Sequence, residues 1–154
     1  MHTIGFTGGR FVDPVVVYGN LYGIKKRGIT LDYKFVTGAA LGADTLIGEW
    51  LVEEMPIGPT HHIIVPANHD QIIPWWEKNE TAIELYDLGY LTVEQMPEGS
   101  SYKDRNQAIV DASDELVAFP AFPESHPNAR RSGTWQTVRM ARRANLPIDI
   151  FIAG

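Results

Sequence analysis

The chain contains no cysteine. Disulfides, thiolate-bound zinc and a cysteine nucleophile are thereby excluded. No apolar run approaches the ~18–20 residues of a membrane-spanning helix, and the opening Met1-His2-Thr3-Ile4-Gly5-Phe6 has no basic stretch leading into an apolar one. The expected location is the cytoplasm. Positive charge is also scarce: 13 Lys and Arg stand against 19 Asp and Glu, a formal net charge of −6. That balance argues against a broad nucleic-acid surface working by counterion release. A small anion held at one local site remains compatible with it. What is present is ordinary for a globular protein, with 44% hydrophobic and 21% charged residues among 154. A chain of this size fits one domain, 1–154, and buries roughly two-thirds of its surface.

Short apolar runs alternate with helical patterns along the sequence. Strands are expected over 2–6, 33–37, 61–65, 90–95, 115–119 and 148–152, bounded by Gly, Pro or polar turns. Between them, 14–27 carries an apolar stripe of Val17, Leu21 and Ile24, with Asp13 as N-cap, Pro14 at the first helical position and Gly28 as stop. A second helix is expected over 42–55, with Leu46, Ile47, Trp50, Leu51 and Val52 inward and Pro56 and Gly58 ending it. The segment 70–88 reads as mostly helical, with Pro74 in its first turn or breaking it. Helices over 102–112, with Ala108, Ile109 and Ala112 inward, and over 134–145 complete the series; the loop 120–132 has three prolines and no periodicity. Five to six rounds of strand and helix predict an α/β fold, a doubly wound three-layer sandwich on a mostly parallel sheet. An eightfold barrel needs ~250 residues and is out of reach.

In such a sheet, ligands bind beyond the carboxyl ends of the strands where strand order reverses. Strand one ends in Thr7-Gly8-Gly9-Arg10, in which glycines let amides approach an anion and Arg10 adds a fork of donors. The same residues also make a plain tight turn. Strand two ends in Gly38-Ala39-Ala40-Leu41-Gly42-Ala43-Asp44, small residues opening a helix whose first amides are unpaired. Asp44 there either complements the helix dipole or meets a ribose hydroxyl. The loop after strand five closes with Ser132-Gly133-Thr134, an ordinary N-cap or a third cradle of donors. Arg105-Asn106 opens another helix, where a cation is unfavourable without an anionic partner: Asp104, Asp111 or a phosphate. Arg130 and Arg131 precede a helix N-terminus and either close over a phosphate or decorate the loop. These signals point to one sheet edge.

Several signatures are absent. Thr7-Gly8-Gly9-Arg10-Phe11-Val12 is not G-x-G-x-x-G, and neither a phosphate-binding G-x-x-x-x-G-K-[ST] nor a hydrolase G-x-S-x-G occurs. His61 and His62 point to opposite faces of their strand, and His69 and His126 have no carboxylate at ligand spacing, so no metal site is expected. Trp75-Trp76 reads as core or as a stacking platform for a base.

The ordered set Thr7-Gly8-Gly9-Arg10, Val36-Thr37-Gly38-Ala39-Ala40-Leu41-Gly42-Ala43-Asp44, Asp104-Arg105-Asn106, Asp114-Glu115-Leu116-Val117-Ala118-Phe119 and Ser132-Gly133-Thr134 resembles the SLOG superfamily. That superfamily unites lonely-guy phosphoribohydrolases with the Rossmann-like domain of DNA-processing protein A, and the likeness is strongest to its small YspA-like members. The resemblance implies a Rossmann-like domain over 1–154 that binds a nucleotide or nucleotide-derived phosphorylated ligand as sensor or binding module. It requires no further cofactor. Thr7, Gly8, Gly9, Arg10, Gly38, Ala39, Gly42, Asp44, Arg105, Asn106, Ser132, Gly133 and Thr134 are the candidate ligand contacts.

The lonely-guy pattern P-G-G-x-G-T-x-x-E ends in a glutamate that assists N-glycosidic cleavage, alongside an arginine that matches Arg105. Here Trp135-Gln136-Thr137 follows Gly133-Thr134, so that glutamate is missing. A nucleotide N-glycosidase would need a relocated carboxylate, Asp44 or Glu124, with Arg105 and Asp44 as the catalytic candidates. Single-stranded DNA binding is a third reading by fold analogy, opposed by the acidic balance. A homodimer is compatible with the chain, through the helix over 134–145 or the Trp50 helix.

Overall fold

Period-two alternation decides which side chains fill each face of the sheet. The computed structural model describes residues 1–55, 59–67, 72 and 74–154. Among them are six strands, β1 (His2–Gly8), β2 (Tyr33–Thr37), β3 (Thr60–Val65), β4 (Leu91–Gln95), β5 (Glu115–Phe119) and β6 (Ile148–Ile150). They form one sheet in the order β4-β3-β2-β1-β5-β6, and every neighbouring pair is parallel. The helices are α1 (Pro14–Lys25), α2 (Ala43–Glu54), α3 (Glu80–Leu88), α4 (Tyr102–Asp111) and α5 (Gly133–Arg143). Ile4, Phe6, Phe35, Val117 and Phe119 point to one side and pack with α1 and α2; Ile63 and Val65 join Val52 and α3 on that side. Val36, Ile64, Leu116 and Ala118 point to the other and pack with α4 and α5. This is the expected three-layer, Rossmann-like sandwich, with both faces of the parallel sheet covered.

Order along the chain fixes where the sheet reverses. β1 to β4 step outward in one direction, and the connection through α4 then returns past them to place β5 on the free side of β1. The reversal between β1 and β5 opens a crevice beyond their carboxyl ends.

Local sequence sets the helix ends. Asp13 accepts from the Val15 amide at 2.9 Å, and Ser101 with Asp104 forms a reciprocal capping box. The Ser132 hydroxyl accepts from the Trp135 amide. Of the two places expected for Pro74 within 70–88 it takes the break: a single 3-10 turn covers Trp75–Glu77 after it, and α3 begins behind the cap of Asn79. Asp70 itself lies outside the described residues, as do Pro56, Gly58 and His69. One expectation is corrected: of the inward set Ala108, Ile109 and Ala112, only Ile109 is buried, with Arg105, Asn106 and Val110, while Ala108 is half-buried and Ala112, the C-cap of α4, is exposed. A polar pair occupies the inward face because a cavity, not hydrocarbon, lies beneath it. Trp75 is core, set edge-on to Trp76 and against Gly48 of α2.

At the amino end of the sheet, Arg27 grips Glu115 with two bonds of 2.7 and 3.0 Å, and His2 also bonds that carboxylate. Among the described residues, no helix is long and apolar enough to cross a membrane.

Candidate functional site

Glycines bring three loops together at the carboxyl edge. A Cβ on Gly8 would lie 2.2 Å from the Ala43 Cβ, so only a bare backbone lets β1 pass the start of α2. The Ala43 amide donates to the Gly9 carbonyl at 3.0 Å, and the Gly9 amide donates to the Phe119 carbonyl at 2.9 Å. Gly42 has φ +89°, and its Cβ direction points at the Arg10 carbonyl oxygen, 2.2 Å away. The ends of β1, β2 and β5 are therefore joined through backbone contacts.

Over this junction lies a cavity of about 490 Å³, within the range of small-molecule sites. It is lined by Thr7, Gly8, Gly9, Arg10 and Phe11 after β1, by Ala40, Leu41 and Asp44 after β2, and by Tyr102, Arg105 and Asn106 of α4. Ala121, Phe122, Arg131, Ser132, Gly133, Thr134 and Gln136 close the β5 side. Ten of the thirteen residues expected from the sequence thus border one space. The other three, Gly38, Ala39 and Gly42, stand behind the wall. Ala39 is fully buried in the core, Gly42 meets the Arg10 backbone, and Gly38 serves as a spacer. A Cβ on Gly38 would fall 2.5 Å from Asp44 Oδ2 and 2.6 Å from Arg105 Nη1, so its lack of a side chain lets the two charged groups face each other.

Those two groups dominate the electrostatics. Asp44 and Arg105 are each only 5% exposed. Burial pushes the Asp44 carboxyl above its ordinary value, and the Arg105 charge and the Ala40 amide, 3.2 Å from Oδ2, pull against that shift. Arg105 donates from Nε to Asn106 Oδ1 at 3.0 Å and from Nη1 to the Ile64 carbonyl at 3.4 Å. Among the described residues its Nη2 has no hydrogen-bond partner, and neither have Asn106 Nδ2 and the hydroxyls of Thr7 and Thr134. Asp104 and Asp111 do not answer Arg105. The first closes the capping box and the second accepts from Gln107. Glu124 sits on the surface paired with Arg142 at 2.8 Å, away from the cavity.

Three aromatic side chains on the cavity wall carry no signal in the sequence. Phe11 is 79% exposed at the rim beneath the Arg10 guanidinium. Phe122 stacks on His126 at 4.4 Å, and its carbonyl accepts from Trp135 Nε1, which ties the 120–132 loop to α5. Tyr102 lies under Arg105, with a buried hydroxyl that has no partner among the described residues. Both rim arginines, Arg10 and Arg131, are exposed. Among the described residues, no three His, Asp or Glu side chains gather as metal ligands.

No family model matches the chain, and no curated protein does. Among solved structures, the X-ray structure of TM1055, a structural-genomics target, matches with a TM-score of 0.59 at 16% identity, over 96% of this chain and 72% of that one. At that identity the likeness is one of fold.

Proposed function

We propose that the protein binds a phosphorylated nucleotide, or a ligand derived from one, in this cavity and acts as a sensor or binding module of the SLOG type. The observation that carries the reading is a set of buried polar side chains with unused donors around one space. Arg105, Asn106, Thr7 and Thr134 are all at least nine-tenths buried. These donors face the cavity without a protein partner among the described residues, so a ligand rich in acceptors can take them, at about 1.5–3 kcal/mol for a bond to a charged group. The first amides of α5, at Gly133 and Thr134, add the partial positive charge of a helix start. Phe11 offers a flat face for a base. The ordered motifs support the superfamily, and the fold shared with TM1055 agrees with it.

Replacing Arg105 with alanine is expected to weaken nucleotide binding by about 1.5–3 kcal/mol, the worth of a hydrogen bond to a charged group. Calorimetric titration with nucleoside monophosphates reads this directly, with a thermal melt to show that the variant is folded. Unchanged affinity would remove Arg105 from the site.

Asp44 favours a second reading, a nucleotide N-glycosidase. Among the described residues it is the carboxylate that borders the cavity, and burial raises its pKa. A carboxylate beside the anomeric carbon stabilises the oxocarbenium-like charge as water replaces the base. Incubation with nucleoside monophosphates should then release free base, and Asp44→Asn should abolish the release. Intact nucleotides after long incubation with the native protein would eliminate the enzyme and leave the binding module.

A further inference from the structure

The cavity is not uniformly receptive to negative charge. Its donors are numerous, but among the described residues Asp44 is the one acidic side chain on its wall. Only Oδ2 of that carboxylate is engaged, by the Ala40 amide; Oδ1 accepts nothing among the described residues. A ligand made only of phosphate would bring anionic oxygen against this group. A ligand with hydroxyls would give it the donors it lacks.

Where Asp44 sits sharpens the point. It belongs to the first turn of the helix after β2, whereas Gly133 and Thr134 open the helix after β5. β1 lies between those two strands. The acceptor side of the cavity and the start of α5 therefore flank β1 from opposite directions. Arg105 stands on the acceptor side, facing Asp44 across Gly38. A ligand hydroxyl entering from the cavity between these two side chains can donate to the carboxylate and accept from the guanidinium, using its proton and one lone pair.

We infer that Asp44 is a specificity-determining residue that receives the sugar hydroxyls, so that the cavity selects ribonucleotides over their deoxy counterparts while the α5 side holds the phosphate. This rests on the nucleotide-binding reading and deepens it. Because Asp44 is buried and only the Ala40 amide donates to it among the described residues, removing the hydroxyl that reaches it leaves Oδ1 without a donor. Sites built to hydrogen-bond a hydroxyl reject the analogue lacking it far more strongly than apolar pockets do.

The test titrates the native protein with each ribonucleoside 5′-monophosphate, with its 2′-deoxy and 3′-deoxy analogues, and with inorganic phosphate. At least one deoxy analogue of the best-bound nucleotide is expected to bind tenfold or more weakly. In Asp44→Asn, which keeps the shape of the side chain, the ratio between that pair should fall toward one. Equal affinity of the native protein for all three sugars overturns the inference about Asp44 and leaves nucleotide binding standing. A selectivity that survives unchanged in a folded Asp44→Asn protein also overturns it. If none of the nucleotides binds, the nucleotide reading fails and this inference falls with it.

Discussion

Substituting alanine for Gly42 is expected to destabilise the protein by about 3 kcal/mol or more and to abolish ligand binding with it. Two costs add. The backbone at φ +89° and ψ −123° lies in a region that L side chains rarely enter, worth about 1–3 kcal/mol of strain. The new methyl would also point at the Arg10 carbonyl from 2.2 Å, with the Arg10 carbonyl carbon and Cα both at 2.6 Å. These neighbours are backbone atoms, so relief requires the β1 loop to move, at an overpacking cost of about 1–3 kcal/mol. That movement would break the Ala43-to-Gly9 hydrogen bond and pull Arg10 and Phe11 away from the cavity. Urea unfolding measures the loss, and Gly19→Ala provides the internal comparison. Gly19 lies on the exposed face of α1 with nothing within 4 Å of its Cβ direction, so alanine there should stabilise by about 0.5–1 kcal/mol. A Gly42→Ala protein as stable as the native one would show that the β1 and β2 loops are not locked as described.

The same glycine shows what the sequence made legible and what it did not. Alternation of strand and helix signals is a local property, so the element order, and the bounds of β2 and β5, could be read from the chain. The edge of the sheet that carries the glycine turns followed from parallel topology. The role of each glycine did not follow. A glycine that approaches a ligand and one that approaches another loop have the same local signature, and only the three-dimensional packing distinguishes Gly8 and Gly9 from Gly38 and Gly42. Arg105 and Asn106 stand out for chemistry, yet apolar periodicity turns Ala108, Ile109 and Ala112 inward, and of these only Ile109 is buried. Apolar periodicity cannot reveal a helix face turned toward a polar cavity. Phe11 and Phe122 escaped for a related reason: loop aromatics carry no period, and their place on the wall depends on contacts far away in sequence. The sequence offers Asp104, Asp111 or a phosphate as the partner of Arg105, whereas Asp44 arrives from another layer of the sandwich.

Acid should unfold this protein along a limb set largely by one core histidine. His61 is 4% exposed, edge-on to Phe35 at 5.3 Å, and its Nε2 lies 3.5 Å from the Met55 carbonyl. Burial lowers its pKa from 6.5 to about 4, against a smaller opposing effect of that carbonyl. Between these two values the unfolded chain takes up a proton that the folded chain refuses, so stability falls as pH is lowered from about 6.5 and the loss levels off below about 4. The full drop from this group is about 3 kcal/mol. His62 adds a smaller contribution in the same direction, since burial and Lys34 also lower its pKa. The Glu115 cluster adds another lower down: its bonds to Arg27 and His2 depress the carboxyl, and protonation there forfeits them. Asp44 acts oppositely. Its raised pKa means that acid relieves a penalty, so that group offsets part of the loss. Because several groups titrate, the informative quantity is the difference between native and His61→Gln unfolding free energies across pH. That difference should change by about 3 kcal/mol between pH 7 and pH 4, while His62→Gln should change it much less. Parallel curves for the native and His61→Gln proteins would place the acid sensitivity elsewhere. A slope confined to pH below 4.5 would assign it to the Glu115 cluster at the amino end of the sheet.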